Sequence, residues 1–288
     1  MWLLTAKGMK ELVFLKLGGS LLTDKTRPGA LRPEVLGRLA DEIGRAVRER
    51  KDLSLLVGHG SGSFGHVAAE KYHTQLGART ESDWAGFLEV WWQARKLDEL
   101  VLGALERAGL PVMVFPPSAG LVAREGRIVS WNIEPIEASL RAGFVPMVYG
   151  DAVFDEALGA CIVSTEDLFV YLAQALAPRR ILLAGEEAGV WADFPVREHL
   201  LRQVSVAELR SAHAALGAAA GADVTGGMAQ KAAVMGRLVE SGIVPQVNIF
   251  SGMEERAVYR ALRGDSLGTE ISQGGHVGRR TANAGDSA

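Results

Sequence analysis

The chain has one cysteine, Cys161, among 288 residues, so an intrachain disulfide is excluded and a reducing compartment fits. No apolar run approaches the ~20 residues of a membrane span. Positive charge is not in excess either: net charge is −3, so a nucleic-acid surface is not expected and any anionic ligand must be met by local lysines. The Walker A spacing G-x-x-x-x-G-K-[ST] does not occur. Internal repeats and Pro/Ser-rich linkers are also missing. Met1–Gly8 is too short for a signal peptide's apolar core and cleavage site, and Met9 reads as a better start. These absences point to a soluble, cytoplasmic protein without a membrane anchor or a P-loop.

What is present is the alternation of a parallel sheet covered by helices. At 48% hydrophobic residues the chain can build a sizeable core. Short apolar runs at 12–17, 53–57, 111–115, 145–149, 180–184, 245–250 and near Thr269 predict strands. Longer amphipathic segments predict helices over 33–50, 84–108, 134–142, 166–176, 206–216, 228–241 and 255–262. Pro33 in a first helical turn, and Gly109 and Gly143 just past helix ends, are the expected punctuation. Arg124–Arg127 and Asp155–Gly159 read as hairpin turns. One continuous sheet in a single domain of two functional halves is the simplest account. The Gly/Arg/Ser-rich tail from 273 to 288 reads as disordered.

Three glycine-dense elements carry the chemistry. The first strand runs into Lys16-Leu17-Gly18-Gly19-Ser20, with a second lysine at Lys25. Two glycines after a buried strand let the backbone turn sharply and aim bare N–H groups at an anion, while the lysines add full charge there. Phosphoryl transfer needs that combination. Alone, the motif is equally an ordinary strand-to-helix turn. The second strand enters Gly58-His59-Gly60-Ser61-Gly62-Ser63-Phe64-Gly65-His66, which holds four glycines in its first eight residues. It reads as a second anion cradle, with His66 as donor and His59 as a structural residue. Asp223–Lys231 repeats the logic, with Gly226-Gly227 opening a helix that carries Lys231 one turn in.

Acidic residues open another helix at Thr165-Glu166-Asp167. Glu166 reads as N-terminal capping, and Asp167 as the carboxylate that fixes the lysines and relieves their repulsion. Trp84, Phe87, Leu88 and Trp91 share a helical face. That stripe is either plain core or the wall of an apolar ligand tail.

Together the segments KLGGSLLTDK from Lys16, GHGSGSFGH from Gly58, YGD from Tyr149, STEDL from Ser164, DVTGGMAQK from Asp223 and GTEI from Gly268 resemble the isopentenyl phosphate kinases of the amino acid kinase superfamily. The match runs in family order along nearly the whole chain. It implies an open αβα sandwich with a mainly parallel central sheet, as a homodimer. Residues 9–165 would form the acceptor-binding half and 166–272 the nucleotide-binding half. By match, Lys16, Gly18, Gly19, Ser20, Gly62, Gly227 and Lys231 would contact ATP phosphates, and Lys25 would stabilise the transferring group. Ser61, His66 and Thr165 would hold the acceptor phosphate, Asp167 would organise the lysines, and Trp84, Phe87 and Trp91 would wall the prenyl tail.

Three segments depart from the family pattern. H-G-G-G reads His59-Gly60-Ser61-Gly62, which puts a side chain beside the acceptor. G-D-D reads Thr165-Glu166-Asp167. T-D-V-D-G reads Gly185-Glu186-Glu187-Ala188-Gly189, where Glu186 can still supply a carboxylate to the nucleotide site. The implied reaction is ATP-dependent phosphorylation of isopentenyl phosphate to the diphosphate, with Mg²⁺ and with no metal-ligating residue named in the protein. Fosfomycin, a nucleoside monophosphate or an acyl carboxylate is the alternative acceptor on the same fold. A non-catalytic sensor domain would have no need of three lysines and an acid.

Overall fold

A computed structural model describes residues 10–24, 26–27, 29–72, 74, 77–193, 196–208 and 226–274, apart from the side chains of 66, 67, 226, 227 and 229. The first strand, β1 (Glu11–Leu17), and the second, β2 (Leu53–His59), pair in parallel at the centre of an eight-stranded sheet. On the far side of β2 lie β6 (Val145–Tyr149) and then β3 (Val112–Val114). On the far side of β1 lie β9 (Arg180–Gly185), β11 (Gln246–Ser251), β12 (Thr269–Ser272) and the short β10 (Gln203–Ser205). Every described pairing in this sheet is parallel except β11 with β12, so β12 and its parallel neighbour β10 run against the other six strands.

The alternation of side chains along β1 explains why both faces need cover. Val13, Leu15 and Leu17 join one apolar cluster, and Phe14 joins the other; all four are fully buried. The first cluster takes Leu36, Leu39 and Ile43 from α2 (Pro33–Glu49), Leu97 and Val101 from α4 (Glu81–Arg107), and Val258 from α8 (Ala257–Arg263). The second takes Phe169 and Leu172 from α6 (Thr165–Leu176) and Met235 and Val239 from α7 (Gly226–Glu240). A mostly parallel sheet between two helical layers is the αβα sandwich expected from the sequence.

Two differences have local causes. Helix α4 starts at Glu81 because Thr80 accepts from the Asp83 N–H while Asp83 accepts from the Thr80 N–H, a reciprocal box that starts the helix a turn before the aromatic stripe. The expected single sheet is two. Strands β4 (Leu121–Arg124), β5 (Arg127–Trp131), β7 (Asp151–Asp155) and β8 (Gly159–Val163) form a separate four-stranded sheet. The chain leaves the large sheet at Gly150, whose N–H bonds to the His59 carbonyl. Asp155 then locks both small hairpins: its carboxylate accepts from the N–H groups of Glu125, Gly126, Ala157 and Leu158 at 2.7–3.1 Å. Those four bonds hold its pKa down at about 2 against the opposing effect of burial. Helix α5 (Glu134–Ala142) ends at Gly143, as the sequence indicates. The alanine-rich tract at 214–222 and most of the helix expected over 206–216 lie outside the described residues, although 206–208 are helical. No described helix is long and apolar enough to cross a membrane.

Candidate active site

The glycine loops gather at the carboxyl ends of β1 and β2, where open α/β sheets place their ligands. After β1 the chain passes Gly18 and makes one short helical turn, α1 (Gly19–Leu22); after β2 it passes Gly60 and Ser61 and enters α3 (Gly62–Tyr72). The two turns touch backbone to backbone. A Cβ on Gly19 would lie 2.3 Å from the Gly62 nitrogen, so only glycine allows the loops to meet. Thr23, fully buried, clasps them: its hydroxyl donates to the Gly19 carbonyl at 2.8 Å and accepts from the Ser63 N–H at 2.9 Å.

The clasp leaves two pairs of N–H groups without a protein acceptor among the described residues, Gly19 with Ser20 and Ser61 with Gly62. The result is two adjacent cradles for anions, one from each loop. Ser61 places its hydroxyl over Gly65, on the second cradle.

Positive charge enters from β1 and α7. Lys16, only 6% exposed, lies in register between Gly58 and Leu183, and its ammonium pairs with Glu166. Gly58 is glycine because the first turns of α6 press on it: a Cβ there would come within 2.6 Å of Phe169 and Thr165. Lys231, on α7, reaches to 3.8 Å from the same Glu166 oxygen. Burial, with Lys231 nearby, lowers the Lys16 pKa against the opposing pull of Glu166. Burial alone would raise Glu166, but the two ammonium groups outweigh it and hold the carboxyl below its usual range.

A pH dependence follows with a definite sign. To offset the charge of an anion in these cradles Lys16 has to be protonated, so kcat/KM should fall on the alkaline side at a pH below the ordinary lysine range of about 10.4. In Glu166→Gln the limb should move lower still, because the carboxylate that favours the charged lysine is gone. Initial rates across the alkaline range check both. A limb that stays put in the variant would show that another group sets it.

The carboxylate between the lysines is therefore Glu166, not Asp167, which corrects the sequence reading. Asp167 is the N-terminal box of α6: it accepts from the Ser164 N–H at 3.0 Å and the Ser164 hydroxyl at 2.5 Å, while its own N–H donates to that hydroxyl. The expected capping role of Glu166 and lysine-fixing role of Asp167 are exchanged. Thr165 is also placed differently from a direct phosphate ligand. It is 1% exposed, and its hydroxyl donates to the His59 carbonyl at 2.6 Å, tying α6 to the root of the second loop.

Glu186 follows β9 near the same end of the sheet, with its carboxylate on Arg32 at 2.8 Å. Gly227 lies in the first turn of α7. His66 is one turn into α3, with its side chain outside the described residues. Lys25 lies outside them altogether.

The three aromatics expected to wall a tail have three different surroundings. Phe87 lines a narrow, filled recess with Ala152, Cys161 and Ile162 of the small sheet, and Thr74 and Asp83 complete its lining. Trp84 is 38% exposed and lies against Phe87 and Phe154. Trp91 turns its indole N–H onto the Ser118 hydroxyl at 2.9 Å. Sequence reasoning missed Thr23, whose only signal was its place six residues after Leu17 in the first motif. It also gave no sign of Asp98, which reaches His59 from α4, or of Arg95, which donates to Asp98.

Comparison with known proteins completes the description. Residues 11–251 match the model of the amino acid kinase family. An isopentenyl phosphate kinase of Methanothermobacter thermautotrophicus is 33% identical over 269 residues, covering 91% of this chain and 99% of the relative. One from Methanocaldococcus jannaschii is 30% identical over 266 residues, covering 90% and 98%. A solved crystal structure of an isopentenyl phosphate kinase superposes with a TM-score of 0.76 at 30% identity, over 91% of this chain and all of that one.

Proposed function

This chain belongs to the amino acid kinase family, and within it to the isopentenyl phosphate kinases; from that premise we propose that it transfers the γ-phosphoryl group of ATP to isopentenyl phosphate, giving isopentenyl diphosphate and ADP. The observation that carries the reading is the contact between Gly19 and Gly62, which sets two anion cradles side by side beneath Lys16. An ordinary hydroxyl kinase needs one phosphate cradle. A kinase whose acceptor is itself an anion needs two, close together, and the likeness to isopentenyl phosphate kinases over 91% of the chain supports a phosphate as that anion.

The acceptor is a phosphate monoester whose second pKa is about 6, so near neutral pH its attacking oxygen carries no proton. No general base is required. Catalysis then consists of holding two anions in line and offsetting their repulsion. We assign Gly18, Gly19, Ser20, Gly62, Gly227, Lys16 and Lys231 to the ATP phosphates and Lys25 to the group in flight. Ser61 and His66 are assigned to the acceptor phosphate. Glu166 keeps Lys16 and Lys231 apart at a fixed spacing, and Thr165 holds the strand end behind the acceptor loop.

Mg²⁺ would arrive with the nucleotide. The two carboxylates beside the lysines are already engaged, Glu166 with ammonium groups and Asp167 with Ser164, so phosphate oxygens are the fitting ligands for it. When bound it would supply positive charge to offset the charge developing on the phosphate oxygens. We further read the enzyme as a cytoplasmic homodimer in isoprene biosynthesis, one domain whose 9–165 half takes the acceptor and whose 166–272 half takes the nucleotide.

Product analysis by mass spectrometry tests the reaction. Isopentenyl diphosphate is expected; its absence, with turnover of fosfomycin or a nucleoside monophosphate instead, would reject the reading. His66→Ala should raise the acceptor KM while leaving the ATP KM nearly unchanged, and His66→Gln should recover part of the loss, since an amide N–H can replace an imidazole N–H. A glutamine variant as impaired as the alanine one would remove the donor role.

A further inference from the structure

Beneath the acceptor loop lies a buried polar cluster that phosphoryl transfer as described does not use. His59 ends β2 and is fully buried, stacked on Tyr149 with ring centroids 5.5 Å apart. Both ring nitrogens face acceptors. Nδ1 meets the Gly60 carbonyl at 3.2 Å, and Nε2 meets the Asp98 carboxylate at 3.3 Å. A neutral imidazole has one N–H and cannot donate to both. Asp98 is also fully buried, and its other oxygen accepts from Arg95 at 2.9 Å. Asp98 is thus placed as an acceptor toward both Arg95 and the ring, and with acceptors at both ring nitrogens the geometry calls for a hydrogen on each.

We infer that His59 is a permanent buried imidazolium, held charged by Asp98, which positions the Gly60–Ser61 peptide for the acceptor phosphate. The inference rests on the reading of this loop as the acceptor cradle. A trans peptide points its C=O and the following N–H in opposite directions. With the Gly60 carbonyl drawn in toward the His59 ring, the Ser61 N–H must point out of the fold, and no described protein group accepts it. The same histidine is held from behind, its own carbonyl accepting from Thr165 at 2.6 Å and from the Gly150 N–H at 3.1 Å. The loop is thus gripped at its root from α4, α6 and the end of β6. His59 and Asp98 are positioning residues, and the imidazolium adds a fixed positive charge under the bound anion.

The charged and titratable groups facing the ring are few. Asp98 meets it from α4 with Arg95 on its other oxygen, and Tyr149 stacks on it from the end of β6; Asp151, at the start of β7, acts on it through its electrostatic interaction with Asp98 and Tyr149. Burial raises Asp151 to about 6 despite bonds from the Ser118 and Ala152 N–H groups, with Asp98 adding to the rise. Burial, with Asp151 and Asp98 nearby, pushes the Tyr149 hydroxyl well above its ordinary range, so it stays uncharged. Asp151 is therefore the group whose titration the cluster would sense on the acid side.

The test combines a spectrum with kinetics. In the wild-type enzyme labelled with ¹⁵N-histidine, one imidazole should show both nitrogens protonated throughout roughly pH 6 to 8, where an unperturbed histidine loses its charge. Backbone connectivities assign it to His59. In Asp98→Asn, nearly the same shape but uncharged, Arg95 can keep the amide oxygen while the NH2 donates to Nε2, so that ring should become neutral with its single N–H on Nδ1. The acceptor KM should then rise about tenfold, from loss of the fixed positive charge beneath the bound anion, with the ATP KM unchanged. A wild-type His59 carrying a single N–H would overturn the inference, as would a folded Asp98→Asn enzyme with an unaltered acceptor KM. The spectrum needs neither substrate nor a variant, so it decides the protonation state even where Asp98→Asn does not fold or isopentenyl phosphate is not the acceptor.

Discussion

Replacing Glu166 by glutamine should lower kcat by on the order of 10²–10³, while Asp167→Asn should change kcat no more than a few-fold. The contrast comes from adjacent residues with different neighbours. Glu166 is 7% exposed, between Lys16 and Lys231, where its charge offsets their repulsion and sets their spacing. Without it, two ammonium groups share a poorly solvated site, and breaking a buried pair is generally costly, about 3–5 kcal/mol. The penalty is met by displacement or deprotonation of Lys16, and loss of one such electrostatic contact in the transition state is of the stated size. Asp167 bonds to Ser164 at the helix start. Losing a cap costs about 1 kcal/mol of stability. Steady-state kinetics with melting curves on both variants give the answer. Near-normal turnover in Glu166→Gln, with Asp167→Asn inactive, would restore the roles read from the sequence.

That exchange shows where sequence reading stops. Apolar runs and Gly-rich strand ends were enough to place the large sheet, the two cradles and Lys16, because each follows from local chemistry: a buried strand must be apolar, and a bare backbone must be glycine. Whether Glu166 or Asp167 faces the lysines depends on how α6 is rotated against Gly58, which is set by packing between distant segments. A local signal did exist. Ser164 followed three residues later by Asp167 is capping-box spacing, and it assigns Asp167 to the cap. The small sheet was less legible, since its strands are only four or five residues long and Gly150 breaks the sheet without breaking the apolar pattern around it. The His59–Asp98 contact spans 39 residues and left no local trace.

Phe87→Ala should shift acceptor preference toward longer prenyl phosphates such as geranyl phosphate, by up to about 10³ in relative kcat/KM. Phe87 is the member of the aromatic stripe that faces the recess with Ala152, Cys161 and Ile162. Each added CH₂ that finds apolar burial is worth roughly 0.8 kcal/mol, so a five-carbon extension approaches about 4 kcal/mol once room exists. The stability loss should stay below the about 3–5 kcal/mol of a fully buried phenylalanine, because Phe87 is only half-buried. The other two aromatics serve as controls with opposite expectations. Trp91→Phe removes the bond to Ser118, whose N–H holds Asp151, and should lower the melting temperature with little change in preference. Trp84→Ala, at an exposed edge, should change both modestly. Chain-length selectivity and melting temperature measured on the same three proteins separate a tail wall from ordinary core. If Phe87→Ala is destabilised yet keeps the wild-type preference for five carbons, the recess is packing, and the end of the tail lies elsewhere.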